Sequence, residues 1–226
     1  MPTAGASSTP SATVDKTVTE TISNAPEGNE AWNGTYSWKS KYTVAVNKDT
    51  CTTTATVKIK VKGSVTEAQK AAWKKAVEDK WNGKAKLCCT GGNCPDGYKV
   101  AVVLQYVTSG QDYEVTANNP GADEGGRAGL AGTTSMTGWG VDDTTDITHE
   151  FGHMLGNPEE YFTTDGTDYS DGGKKDGFRD ADGGIMNNPA NDPLPRNFQP
   201  IADAAGSALG SGSSCTPKAA SEGCSP

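Results

Sequence analysis

The only two histidines in the chain, His149 and His153, are four residues apart, with Glu150 between them. On an α-helix that spacing stacks the two imidazoles on one face, where their nitrogens can converge on one ion. The surrounding residues call for such a helix. Ile147, Phe151, Met154 and Leu155 fall at i, i+4, i+7 and i+8, an apolar stripe that buries one face while the histidines point from roughly the opposite side. The run 142–146 (Asp-Asp-Thr-Thr-Asp) offers caps and favourable charge to the first turn. Gly156 can adopt left-handed backbone and end the helix, and Pro158 makes its continuation unfavourable. Any fold of this chain must therefore anchor one side of a short helix, leave the other facing a site, and turn sharply after His153.

The residue types in this pattern point to a definite chemistry. In a His-Glu-x-x-His helix the histidines hold zinc, which lowers the pKa of a bound water to roughly 7, and the glutamate takes that water's proton as it attacks a carbonyl. Catalytic zinc keeps three protein ligands and an open position, and this chain has no third histidine. A carboxylate is the natural substitute. Glu159 lies three residues past Gly156, so a reversal at the glycine brings it back beneath the ion. Glu160 is the nearest alternative ligand, with Asp165 and Asp168 behind it.

His149, Glu150, His153 and Gly156, with Glu159 where a third histidine usually stands, resemble the metzincin pattern of zinc endopeptidases. Snapalysin-like bacterial members are similar in carrying a carboxylate there, and the run 155–159 (Leu-Gly-Asn-Pro-Glu) looks like a variant of theirs. The resemblance implies an α+β, metzincin-like fold: a twisted mixed sheet, a backing helix, an active-site helix, and a small irregular C-terminal subdomain. It also implies a Met-turn under the metal, for which Gly184-Ile185-Met186-Asn187 is the candidate and Met186 the supporting thioether. Asn188 stands where astacin-like and serralysin-like members place a tyrosine. Tyr161 and Tyr169 both follow the motif closely enough to donate to an oxyanion, and the sequence does not choose between them.

Net charge and composition narrow the partners. A net charge of −8 with 28 glycines suggests a soluble, loop-rich protein without generic affinity for nucleic acid. No apolar run is long enough to span a bilayer, and a monomer acting on protein or peptide substrates is expected. Six cysteines imply up to three disulfides and hence an extracytoplasmic, secreted location, although no signal peptide is visible. Cys215 is expected to pair locally with Cys224, and Cys51 with one of Cys88, Cys89 and Cys94.

Residues 1–30, rich in Thr, Ser, Ala and Pro, read as a disordered or linker arm. A catalytic domain follows over 31–210, its upper part ending near 156 and its lower part spanning 157–210. Residues 211–226 read as a flexible disulfide-bearing tail. Within the domain, Tyr42–Val46 and Thr54–Val61 flank a polar turn and form a hairpin. Ser64 with Glu67 reads as a capping box opening a helix from about Val65 to Trp81. Val100–Val107 reads as a strand covered on both faces. Residues 129–139 are candidates for an edge strand that pairs with extended substrate. Aspartates and glycines interleaved from Asp165 to Asp182 suggest a structural calcium ion in addition to zinc. A short helix is expected over about Pro200–Leu209.

The expected function is zinc-dependent peptide hydrolysis, with Glu150 as general base, His149, His153 and Glu159 as ligands, and Met186 as floor. Two alternatives remain at this point. One is an antibacterial or host-directed toxin acting on wall peptides or a specific protein. The other is a zinc-stabilised interaction module without turnover.

Overall fold

The computed structural model describes residues 9–22, 33–118, 135–160 and 183–224. The chain forms a mixed α+β fold in which one curled, open sheet carries few helices. In chain order the elements are β1 (Ser11–Ile22), β2 (Gly34–Asn47), β3 (Thr52–Lys62), α1 (Glu67–Trp81), β4 (Ala85–Cys89), β5 (Tyr98–Tyr106), β6 (Tyr113–Asn118), β7 (Gly138–Gly140), α2 (Asp146–Met154), α3 (Gln199–Leu209) and β8 (Cys215–Ala219). A 3₁₀ turn, Pro195–Phe198, leads into α3.

The sheet runs β1-β2-β3-β5-β4-β8. Beyond Ile59, β6 replaces β5 alongside β3, both in parallel, and β7 extends that branch. The β2–β3 hairpin forms where its alternation places it. Asn47 Oδ1 accepts the N–H groups of Asp49 and Thr50 to close the turn. Val57 and Ile59 are buried while Lys58 and Lys60 are only partly covered. On β5, Tyr98, Val100, Val102 and Leu104 are buried, but Ala101 and Val103 on the other side are half-exposed. That strand is covered on one face rather than both.

Other expectations also need correction. The segment 1–30 is not a featureless arm, because Ser11–Ile22 pairs along its whole length with β2, from Ser11 opposite Ala45 to Ile22 opposite Gly34. Its period-two pattern, with Ala12, Val14, Val18 and Ile22 in one phase, was masked by the Thr-rich composition. The tail is not flexible either. Cys215–Ala219 pairs antiparallel with β4, and two disulfides, Cys88–Cys224 and Cys89–Cys215, fasten it there in place of a local Cys215–Cys224 pair. The sheet thus draws on strands outside 31–210 at both ends. The α1 capping box is Thr66 with Gln69, the same signature two residues after Ser64 and Glu67. Cys51 pairs with Cys94.

The three disulfides suggest an extracytoplasmic protein, and no helix among the described residues is long and apolar enough to cross a membrane.

One apolar cluster supports α2. Trp73, Val77 and Trp81 form the inner stripe of α1 and are fully buried. Trp81 packs against Phe151 of α2 and edge-on against Phe198, with ring centroids 6.3 and 5.4 Å away, and its indole N–H donates to the Thr148 carbonyl at 3.0 Å. Buried aromatic contacts of this kind add about 0.5–1.5 kcal/mol each beyond the area they cover. The backing helix therefore fixes the height and rotation of α2.

Candidate metal centre

Every residue of α2 from Ile147 to Met154 is buried, so the helix is threaded through the protein rather than laid on it. Its N-terminus is capped from outside. Asp143 Oδ1 accepts the N–H groups of Thr145 and Asp146, using an acid from the run the sequence singled out. At the other end Gly156 has φ +100, where a Cβ would be strained and would come within 3.0 Å of Ser40 Oγ. The chain reverses there. Asn157 then donates both its backbone and side-chain N–H groups to the Gly152 carbonyl at 3.1 Å, which locks the turn against the helix it has just left.

The reversal brings Glu159 to the two imidazoles. Glu159 Oε2 lies 3.3 Å from His149 Nε2, and Oε1 lies 3.2 Å from His153 Nε2. One ligand atom from each residue lies within 4.8 Å of the others, and all three side chains are buried. The remaining ring nitrogens are held by backbone. His149 Nδ1 donates to the Ile185 carbonyl and His153 Nδ1 to the Asn157 carbonyl, both at 2.8 Å. A carbonyl can only accept, so each Nδ1 carries a proton; each Nε2 faces Glu159, donating to it when the ring is protonated and able to ligate an ion when it is neutral. Two imidazole nitrogens and a carboxylate oxygen, oriented from behind in this way, could hold a metal ion.

The electrostatics fit a cation. Burial would raise the Glu159 carboxyl, but the two imidazoles beside it hold it well below the usual carboxylate range. Burial also works to lower both histidines. The charge and hydrogen bonds of Glu159 overcome this, lifting His153 to about 9 and raising His149 as well. The carboxylate thus calls for positive charge at its side. Glu150 is pushed up to about 7, chiefly by burial, although the histidines pull it down. It shares with His153 and Glu159 the wall of a cavity of about 250 Å³.

No protein-family model, no curated protein and no solved structure matches the chain. The metzincin resemblance therefore rests on the motif residues themselves.

The neighbouring acid turns away. Glu160, the alternative ligand, accepts from Arg196 Nε and Nη2, both at 2.9 Å, and from Asn197 Nδ2 at 2.8 Å. Consecutive residues in extended chain point to opposite sides, so once Glu159 faces the histidines Glu160 must find its partners elsewhere. Met186 is fully buried beneath α2, and its carbonyl accepts the Glu160 N–H at 3.0 Å. The turn that carries it is closed by Asn187 and Asn188, whose N–H groups both donate to the Gly184 carbonyl. Gly152 makes this approach possible: a Cβ there would come within 2.3 Å of Met186 Sδ. Asp165, Asp168, Tyr161 and Tyr169 lie outside the described residues, as do the suggested calcium loop and most of the edge-strand candidate 129–139.

Several residues of the site gave no local signal. Trp38 on β2 donates its indole N–H to the His153 carbonyl at 2.8 Å and stands edge-on to the His153 ring, centroids 5.4 Å apart. Ser40 and Tyr113 both donate to the Met154 carbonyl at 3.0 Å. Glu20 on β1 accepts the Glu159 N–H at 2.8 Å. The β1–β2 ribbon thus holds the C-terminal end of α2 and the third acid together. Only the alternation in β1 could have hinted at it.

Proposed function

We propose that this chain is a zinc-dependent endopeptidase. The observation that carries the reading is the convergence of His149 Nε2, His153 Nε2 and Glu159 with both Nδ1 groups anchored on backbone carbonyls, beside a cavity that Glu150 also lines. Two imidazoles and a carboxylate are the donor set of several catalytic zinc sites. Zinc held there would supply Lewis acidity to a substrate carbonyl and make water a nucleophile near neutral pH.

The remaining work falls to the chain. Glu150 accepts a proton from the attacking water and returns it to the leaving amine, a role for which its carboxyl must lie at the cleft and not in an ion pair. His149 and His153 orient the site, and the Met186 turn keeps His149 facing inward through the Ile185 carbonyl. The hydroxyl and indole contacts from the β1–β2 ribbon prevent the end of α2 from fraying towards the cleft.

Glu150→Gln tests this. The variant should bind metal at the same stoichiometry as the natural chain, because Glu150 is not among the three clustered donors. Cleavage of a denatured casein substrate should fall by about 10²- to 10⁴-fold, the usual contribution of a positioned base. Undiminished proteolysis in the variant, or none in the zinc-loaded natural chain, rejects the reading.

A further inference from the structure

One phase of the central strands shares the buried core with the helices. Val57, Leu87 and Val102 lie in it together with Trp73, Ile147 and Ile201. The other phase reaches the opposite face of the sheet, and it carries lysine. Lys39 and Lys41 stand there on β2, and Lys58, Lys60 and Lys62 on β3. Farther across, Lys86 of β4 is directly opposite Lys99 of β5 on one side and Lys218 of β8 on the other. Asp15 on β1 and Glu114 on β6 share this phase, whereas Glu20 is in the buried one. Eight lysines against two acids leave an excess of six positive charges on the described strands of this face, in a chain of formal net charge −8.

We infer that this face docks a linear acidic polysaccharide. The inference does not depend on the endopeptidase reading. Like charges directly opposite on neighbouring strands are destabilising, and the row Lys99, Lys86, Lys218 repeats that arrangement twice. A local rule broken in this way marks a face shaped by something other than stability. The two acids are each shared: Asp15 lies 3.9 Å from Lys39 and 3.6 Å from Lys41, and Glu114 pairs with both Lys60 and Lys62. The side chains reach solvent, from 36% exposed in Lys41 to 61% in Lys39. Neighbouring strands lie about 4.8 Å apart and alternate residues of one strand about 6.7 Å apart. Ammonium groups therefore recur at roughly the length of one sugar residue, and a chain with carboxylates or sulfates on successive sugars brings counter-charge to each row. Thr43, Thr54 and Thr56 lie in the same phase between the two lysine groups and offer hydroxyls to sugar oxygens. The three disulfides suggest an extracytoplasmic protein, where such polymers occur. A membrane surface fits less well, because it favours a plane with apolar side chains to insert, and this sheet is curled and carries threonine between its lysines.

The test titrates the natural chain, disulfides intact, with size-fractionated heparin and with polygalacturonate, against neutral dextran and phosphatidylserine vesicles. At least one acidic polymer should bind, and its affinity should fall about tenfold or more when salt is raised from about 50 to 200 mM, as exposed charges require. Lys58→Gln/Lys86→Gln/Lys99→Gln should weaken binding by about tenfold, the sum of three exposed charge contacts. Lys70→Gln/Lys75→Gln/Lys80→Gln on α1 removes the same net charge away from the face and should change affinity by less than about twofold. Equal losses in the two triple variants would assign the effect to overall charge and overturn the inference. Failure of both acidic polymers to bind overturns it as well, and so does binding confined to the vesicles. Should the face variant not fold, lysine acetylation of the natural chain with and without the bound polymer decides. Protection of Lys58, Lys86 and Lys99 over Lys70 and Lys75 supports the face, and equal protection overturns it.

Discussion

Removing the Glu160 side chain tests whether the third acid is placed by its neighbour. Glu160 is 6% exposed and gathers three donors, two from Arg196 and one from Asn197, while the adjacent Glu159 faces the histidines. In Glu160→Ala the Asn197 amide, in a residue 1% exposed, loses this acceptor, and the Arg196 guanidinium loses its ion pair with Glu160. Breaking a fully buried ion pair costs about 3–5 kcal/mol. The Arg196 side chain is 30% exposed, so water recovers part of this, and about 2–4 kcal/mol is expected. The backbone bond from Glu160 N–H to Met186 remains, so the loop loosens rather than detaches. Urea unfolding with the disulfides intact and a chelator present measures the stability loss. Competition with a chromophoric chelator measures the zinc affinity, expected to drop about 10- to 100-fold as for other residues that orient ligands from behind. Arg196→Ala in the same background should add little, because the pair acts as a unit. A stability change within about 0.5 kcal/mol together with unchanged zinc affinity would show that Glu159 is positioned without Glu160.

Other perturbations reach different parts of the argument. Gly152→Ala places a methyl group against Met186 Sδ and within 3.2 Å of Trp81. The helix gains about 1 kcal/mol from the exchange, but crowding costs about 1–3, so thermal unfolding should show a small net loss and zinc titration about a tenfold weaker site. Zinc at a hundred times its dissociation constant should stabilise the fold by about 2.7 kcal/mol, or about 5–10 °C in Tm for a domain of this size. A melting curve indifferent to zinc and chelator would deny that the cluster binds it. The bonds Cys88–Cys224 and Cys89–Cys215 close separations of 136 and 126 residues, which differ by ten. Either one already closes most of the other's loop, so removing one pair should cost about 3 kcal/mol and removing the second about 5 more. Equal steps in urea unfolding would contradict that nesting.

What the sequence determined by itself was local. The four-residue spacing of His149 and His153, the stripe from Ile147 to Leu155 and the reversal at Gly156 all follow from helix periodicity and from one residue's tolerance of positive φ, which need no knowledge of distant neighbours. The alternation of β3 and the tryptophan stripe of α1 were legible for the same reason. Spacing put Glu159 first among the carboxylate alternatives, by contrast, without showing where its neighbour Glu160 would turn. Tertiary structure separated Glu159 from Glu160, because an extended chain sends successive side chains in opposite directions and only the surroundings, Arg196 on one side and the imidazoles on the other, tell which direction is which. It also decided the disulfides, since β4 and β8 are remote in sequence and adjacent only once paired. Trp38 and Glu20, each more than a hundred residues from the His153 carbonyl and the Glu159 N–H that they respectively bond, reach them through strand register, and register is a long-range property of the folded sheet.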